Sequence, residues 1–220
     1  VSVWGDKSGN ARHASQGVGS SQPDTGTSNI NGVNALGFST DYMSANGVAS
    51  FFNGVNKQFT FFEIAKRNVG FSGSGWSLTF GDSATSTNAL TNGYQPSGAS
   101  RTIMNGSGGG VYVDNTIPVG AYVHSVVYDA ATLESRFNGQ SPDTKAGSPG
   151  TVSADKCTIG SVGHSAYGQF WDGAIGEVLV FDRALSLADI QKIEGYLAWK
   201  WGLEGNLPAD HPYKSSPPTA

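Results

Sequence analysis

The chain has 220 residues, a net charge of −4, only 14% charged residues and 31 glycines. That length suits one all-β domain, and the acidic balance argues against a general nucleic-acid surface, which carries a basic stripe. No run approaches the length needed to insert into a membrane, and the single cysteine, Cys157, excludes an intramolecular disulfide framework.

Val1 and Val3 open a strand, and Asp6–Asn10 has turn chemistry. The chain starts at Val1 without Met, so an excised domain of a longer protein is expected. Ser20–Gly32 is polar and turn-rich. A short strand is predicted at Ala35–Phe38, and Asp41–Met43 follows a turn. Gln58–Lys66 puts Phe59, Phe61, Glu63 and Ala65 on one face and Thr60, Phe62, Ile64 and Lys66 on the other. Both faces are largely apolar, which predicts a central strand between layers. Trp76–Phe80 alternates, with Trp76, Leu78 and Phe80 inward. Further strands are predicted at Ala89–Tyr94, Arg101–Met104 and Gly110–Asp114, with Gly106–Gly110 turning between the last two. Ala121–Tyr128 and Leu133–Phe137 form a hairpin through the turn Asp129–Thr132, and Asn138-Gly139 is a strong turn dipeptide after it. Lys156–Ser161 is a strand, His164–Gly168 a loop and Gly173–Phe181 the last strand. Strand signals recur at roughly 8–12-residue spacing, as in sandwiches and barrels.

One long helix is predicted over 186–201. Ser186 is its N-cap, with Asp189 in the acidic position of a capping box, and Leu185 can staple Ile190. Leu187, Ile190, Ile193, Leu197 and Trp201 form an apolar stripe. Gly202 sits where a left-handed cap is expected. Gly195 implies close approach to the sheet. Glu194 falls within the stripe and must reach its edge or find a partner. Residues 1–214 form one domain, and Ser215–Ala220 reads as a linker or chain end.

The segment Trp171–Ser186, with W-D-G-A-I-G-E-V and R-A-L-S, resembles the closing strand of laminin-G-like domains of the concanavalin A-like lectin superfamily. Val126–Asp129 followed by Arg136-Phe137-Asn138-Gly139 is similar to that group's hairpin. Trp4–Asn10 resembles its W-x-D-x-S-G-N opening. Trp199–Leu203 with Leu207–Tyr213 is similar to the ending found in phage virion proteins and bacterial surface or secreted proteins. The resemblance implies an all-β, two-sheet antiparallel jelly-roll sandwich with one C-terminal helix on its edge or back. It implies glycan or surface binding without naming a ligand.

Catalytic patterns are not evident. The E-x-D-x-x-E strand of glycan-cleaving relatives does not occur, and Glu177 and Asp182, five apart, lie on opposite faces of a strand. No serine sits in a G-x-S-x-G elbow. His13, His124, His164 and His211 are far apart in sequence, giving zinc little support. Cys157 has a strand-face pattern and reads as a buried structural thiol. No cofactor is required. Calcium is the one metal the resemblance allows, with Asp6, Asp82 and Asp129 as loop oxygen donors.

For glycan contact the candidates are Tyr94 and Tyr167 in loops, His164, Tyr112 facing outward, and His124 and Arg136 on a solvated sheet face. Trp199 and Tyr196 project off the helix stripe. The strand–helix segment offers little chemistry, so a site is expected in the loops and open sheet face upstream of it. The function expected is a non-catalytic carbohydrate- or surface-binding module of a larger virion protein (tail, fibre or decoration) or secreted protein. It would act at the virion or cell surface on a glycan or polysaccharide, beside neighbouring virion or same-chain domains. Display as a homo-oligomer would raise weak affinity. The alternatives are a purely structural virion assembly domain and a glycan hydrolase or lyase with an atypical site.

Overall fold

The computed structural model describes residues 1–68, 70, 73–82, 87–95, 99–162 and 168–219. In chain order the first strands are β1 (Val3–Trp4), β2 (Ala14–Ser15), β3 (Asp24–Ile30), β4 (Val33–Phe38), β5 (Met43–Ala45), β6 (Gly54–Val55), β7 (Phe59–Arg67) and β8 (Gly75–Asp82). Then come β9 (Thr87–Tyr94), β10 (Ala99–Gly106), β11 (Gly109–Thr116), β12 (Ala121–Tyr128) and β13 (Thr132–Phe137). β14 (Asp143–Ala146), β15 (Thr151–Val152), β16 (Lys156–Ile159), β17 (Gly173–Phe181) and the helix α1 (Leu187–Lys200) complete the chain.

Two large antiparallel sheets face each other. One has the order β1-β2-β5-β16-β8-β9-β10-β11, the other β14-β13-β12-β7-β17-β4-β3. β7 lies between β12 and β17, as its two apolar faces predict. Phe59, Phe61 and Ala65 point into the main core with Leu78, Phe80, Met104 and Val113 of the opposite sheet. Phe62 and Ile64 point the other way, into a second cluster with Val123, Val127, Ile190, Leu197 and Trp201. The helix therefore covers the back of the seven-stranded sheet, making a three-layer stack.

The helix boundaries follow their sequence signals. Ser186 Oγ accepts the Asp189 amide at 3.2 Å, and Gly202 takes φ 64° just past the helix end. Two expectations need correction. Leu187 is exposed, because it sits in the first turn before α1 reaches the sheet. Gly195 makes close approach to the C-terminal tail, not the sheet: a Cβ there would stand 2.5 Å from Tyr213 Cβ. Trp199 also turns to that tail, its indole N–H donating to Tyr213 O at 2.9 Å.

Other departures have equally local causes. Ser20–Gly32 contains the strand β3, which reads as polar because it is an edge strand largely exposed to solvent. Trp76 is buried, as expected, but it is not among the residues of the cluster that holds Leu78 and Phe80. A register shift between Trp76 and Leu78 inserts Ser77, and Trp76 instead donates to Gln169 Oε1 at 2.6 Å, outside both apolar clusters.

Between the sheets the core holds a polar network. Glu63 and His124 come from the seven-stranded sheet and Asn92 from the other, each no more than 1% exposed. Asn92 Nδ2 donates to Glu63 Oε1 at 2.9 Å and to Ser77 Oγ at 3.1 Å. Thr102 Oγ1 donates to Asn92 Oδ1 at 2.7 Å. His124 Nδ1 lies 3.3 Å from Glu63 Oε1, and its Nε2 2.8 Å from Ser135 Oγ. Phe137 stacks on the imidazole with ring centroids 4.2 Å apart. Asn92 is thus the hinge pin between the sheets: it joins the buried carboxylate to the opposite layer.

Leaving a buried polar group without its hydrogen-bond partner costs about 1–3 kcal/mol. Asn92→Leu keeps the apolar volume and removes the cross-sheet donor, so its urea unfolding free energy should fall by that order. A loss below about 1 kcal/mol would show that the sheets do not depend on the bond. Burial raises the Cys157 thiol to about 12. Native protein should therefore leave Cys157 unreacted with a thiol-specific disulfide reagent at pH 8, while urea-unfolded protein reacts fully. Rapid labelling of the native fold would contradict this burial.

Candidate functional site

The residues named from sequence separate sharply by burial. Tyr94 ends β9 inside the core, its ring 5.0 Å from that of Trp171. Burial holds its hydroxyl well above the ordinary tyrosine range. It is not a loop residue. His124 and Arg136 are buried as well, so the expected solvated sheet face does not exist at these positions. His124 lies in the network between the sheets. Arg136 lies on the face that the helix layer covers, with its Nη2 on Glu134 Oε2 at 2.5 Å. His164 and Tyr167 fall outside the described residues. Tyr112 alone of the described candidates is open to solvent, at 50% exposure.

Two enclosed clusters look chemical and are closed to substrate. Ser135, His124 and Glu63 make a nucleophile–imidazole–carboxylate line at 2.8 and 3.3 Å, the geometry of a hydrolytic triad. All three lie in the interior, where the line serves to join strands. Beneath the helix, Ser125 Oγ donates to Glu194 Oε1 at 2.5 Å. His211 Nδ1 accepts the Tyr213 amide at 3.2 Å, leaving Nε2 toward Glu194 Oε2, 3.5 Å away. Glu194, placed within an apolar stripe, has found partners there. Gly139 of the Asn138-Gly139 turn is part of this cluster, since a Cβ would stand 2.7 Å from the His211 ring.

Tyr112 stands on β11, the outer strand of the eight-stranded sheet. Val111 and Val113 point to the core, so alternation turns Tyr112 and Asp114 outward. Register places Ile103 opposite Tyr112 and Arg101 opposite Asp114. Arg101 Nε and Nη2 clasp the Asp114 carboxylate at 2.5 and 2.7 Å, and the guanidinium lies 5.1 Å from the Tyr112 ring centroid. The Asp114 hydrogen bond raises the Arg101 pKa, and the Arg101 hydrogen bond lowers that of Asp114. The pair therefore stays charged across the physiological range. The result is an aromatic face beside a fixed fork of donors and acceptors, the combination that stacks on a sugar ring and bonds its hydroxyls.

The three aspartates do not assemble into an ion's ligand set. Asp6 Oδ1 accepts the Ser8 amide at 2.8 Å and Oδ2 the Arg12 amide at 2.9 Å. Asp129 Oδ1 accepts the amides of Ala131 and Thr132 at 2.8 and 2.7 Å. Both cap turns. Asp82 ends β8, on a separate element. Among the described residues no group of three or more His, Cys, Asp or Glu could hold a metal.

A groove of about 620 Å³ opens where the two ends of the chain meet. Trp4 and Arg12 of the opening segment, Phe51, Val178 and Val180 of the second half of β17, and Lys200 of the helix line it. The expectation that any site lies upstream of Trp171 overlooked it. In sequence β17 reads only as the last strand, and the early departure of β4 from it cannot be seen there.

The Ser8 amide, then the Arg12 amide, hold the Asp6 carboxyl near 2, below its ordinary 3.8. A value lowered on folding means that the turn's contribution is present above the ordinary value and lost as pH falls through 2. The Ser8 and Arg12 amide resonances should titrate with a midpoint near pH 2. A midpoint at 3.8 would show that the turn does not retain the carboxylate.

Comparison with curated proteins by sequence gives no match. Among solved structures, the binding domain of Paraclostridial Mosquitocidal Protein 1 is similar at TM-score 0.64 and 9% identity, over 87% of this chain and 49% of that one. The Ruminococcus gnavus IT-sialidase CBM40, bound to sialyllactose, is similar at TM-score 0.53 and 14% identity, over 64% of this chain and 84% of that one. Domain 4 of AbnA, an extracellular arabinanase of Geobacillus stearothermophilus in complex with arabinotriose, gives TM-score 0.54 and 12% identity, over 77% and 79%. The chain spans about half the length of the first of these. At such identities the likeness is one of fold, a lectin-like jelly roll. Residues 39–191 match the laminin-G-like family described as the concanavalin A-like lectin/glucanases superfamily, and the chain belongs to that family.

Proposed function

We propose that this domain is a non-catalytic carbohydrate-binding module, and that Tyr112 with the Arg101–Asp114 pair is its sugar platform. The observation that carries the proposal is the exposed Tyr112 ring beside a charged fork on an open strand. Similar folds solved with sialyllactose and arabinotriose support the choice of a glycan. The enclosure of the Ser135–His124–Glu63 line supports a binding role over a hydrolytic one. Placement in a larger virion or secreted protein rests on the resemblance of the chain's opening and ending segments.

A single aromatic platform of this kind is weak, and copies displayed together on one particle or polymer raise the avidity. Glycan-array screening followed by calorimetry should find a ligand for the domain. Tyr112→Ala should then weaken it at least tenfold. Because the side chain is exposed, the same variant should keep its unfolding midpoint. Unchanged affinity in Tyr112→Ala, or no glycan bound by the intact domain, would overturn the assignment.

A further inference from the structure

The seven-stranded sheet has a gap beside β17. β7 pairs with β17 from Gly173 to Phe181, but β4 pairs with it only at Gly173, Ala174 and Ile175. Past the irregularity at Gly176, the other edge of Glu177–Phe181 carries no strand among the described residues. The divergence is held in place by the helix end. Asn31, in the β3–β4 turn, donates from Nδ2 to Trp201 O and Gly202 O at 2.9 and 2.8 Å. The Trp201 ring packs on Gly176, where a Cβ would stand 2.6 Å from it. The same indole donates to Glu177 Oε2 at 2.9 Å, so it sits where β4 leaves.

The gap is apolar on both sides. Val178 and Val180 pack against the main core, while Leu179 and Phe181 pack against the helix cluster. All four are only half-buried. Ala14, Ala45, Leu78 and Cys157 of the opposite sheet line the same groove. Its charges are unequal. Glu177 is paired with Lys200 at 2.8 Å. Arg12 lies over the Phe51 ring at 4.4 Å, and among the described residues neither Arg12 nor Lys7 has a carboxylate partner. Asp6 lines the groove as well, its carboxylate held by the Ser8 and Arg12 amides, so three cations (Lys7, Arg12, Lys200) stand against two carboxylates (Asp6, Glu177) and the lining carries one net positive charge.

We propose that this gap receives an extended segment of another polypeptide chain by strand addition. The segment is apolar at alternate positions and carries an acidic residue against Arg12 and Lys7. Strand addition satisfies the free backbone groups of Glu177–Phe181, a stretch of about 17 Å. Alternate side chains of the incoming strand enter the core side and the helix side. A sugar would leave the ladder groups and both apolar walls unmatched.

The test uses a labelled nine-residue peptide of alternating valine and threonine with one aspartate near each end. Binding should saturate, and those Glu177–Phe181 amides that face away from β7 should exchange at least tenfold more slowly. The peptide N-methylated at alternate backbone nitrogens should bind at least tenfold more weakly. Arg12→Ala with Lys7→Ala should weaken the aspartate peptide and leave unchanged the version in which threonine replaces each aspartate. Equal binding of the N-methylated peptide, or binding without protection of those amides, would overturn strand addition. Protection that rises with protein concentration alone, together with a dimer in sedimentation, would assign the gap to a second copy and overturn the partner proposed. Glycan binding through Tyr112 lies on the other sheet, so either proposal can fail alone.

Discussion

The carboxylate of Glu63 constrains the sandwich more than any apolar contact does. It sits in the middle of the central strand, facing a core built from Phe59, Phe61, Leu78 and Phe80. An apolar core tolerates sliding and repacking, since one aliphatic neighbour replaces another at modest cost. A buried carboxylate does not, because its donors must arrive at fixed distances and angles. Asn92 supplies the donor from across the sandwich, and Thr102 and Ser77 hold that amide in turn. A one-residue slip of β9 would turn Asn92 outward and take its donor from the Glu63 carboxyl. The register of one sheet is thereby tied to that of the other.

A second polar cluster does the same for the outer layer. Glu194 on the helix, Ser125 on β12 and His211 in the tail meet in the interior. The helix cannot rotate without uncovering Glu194. The tail cannot lift without exposing His211, and Lys214 further pins it to the carbonyls of Glu204, Gly205 and Leu207. Gly139 is required beneath the His211 ring. Segments that read as separate motifs in sequence, the Asn138-Gly139 turn, the helix stripe and the Leu207–Tyr213 ending, are thus parts of one packing unit.

What could be foreseen from sequence follows the range of the forces involved. The paired faces of β7, the Ser186 cap and the Gly202 end depend on neighbours within a few residues, and periodicity and capping chemistry express them. The register shift between Trp76 and Leu78 carries no residue-type signal. β3 was missed because an edge strand has no buried face to impose apolar alternation. His124 and Arg136 looked like surface because polar residues usually are. His124 is buried against partners from other strands, and Arg136 is buried while paired with Glu134 of its own strand; no local pattern reveals either burial. Glu194 could be flagged as needing a partner, since its helical position was sound, but Ser125 and His211 could not be named. Tyr112 was legible because the flanking valines fix the direction of its side chain.

The distribution of polar chemistry then separates architecture from recognition. The polar groups of the two interior clusters bond chiefly to one another, and their burial leaves no access for a ligand. The surfaces still open are of two unlike kinds. On β11 an aromatic ring and a satisfied ion pair face water, a surface that loses little by remaining free and can exchange water for sugar hydroxyls. Beside β17, half-buried valines and free backbone edges face water, a surface with a standing cost in unpaired ladder groups and exposed apolar area. The first suits a weak, reversible ligand. The second suits a partner that stays, because only another strand matches backbone and side chains together. On the two proposals together, one sheet would fix the domain in an assembly while the other stays available for a glycan.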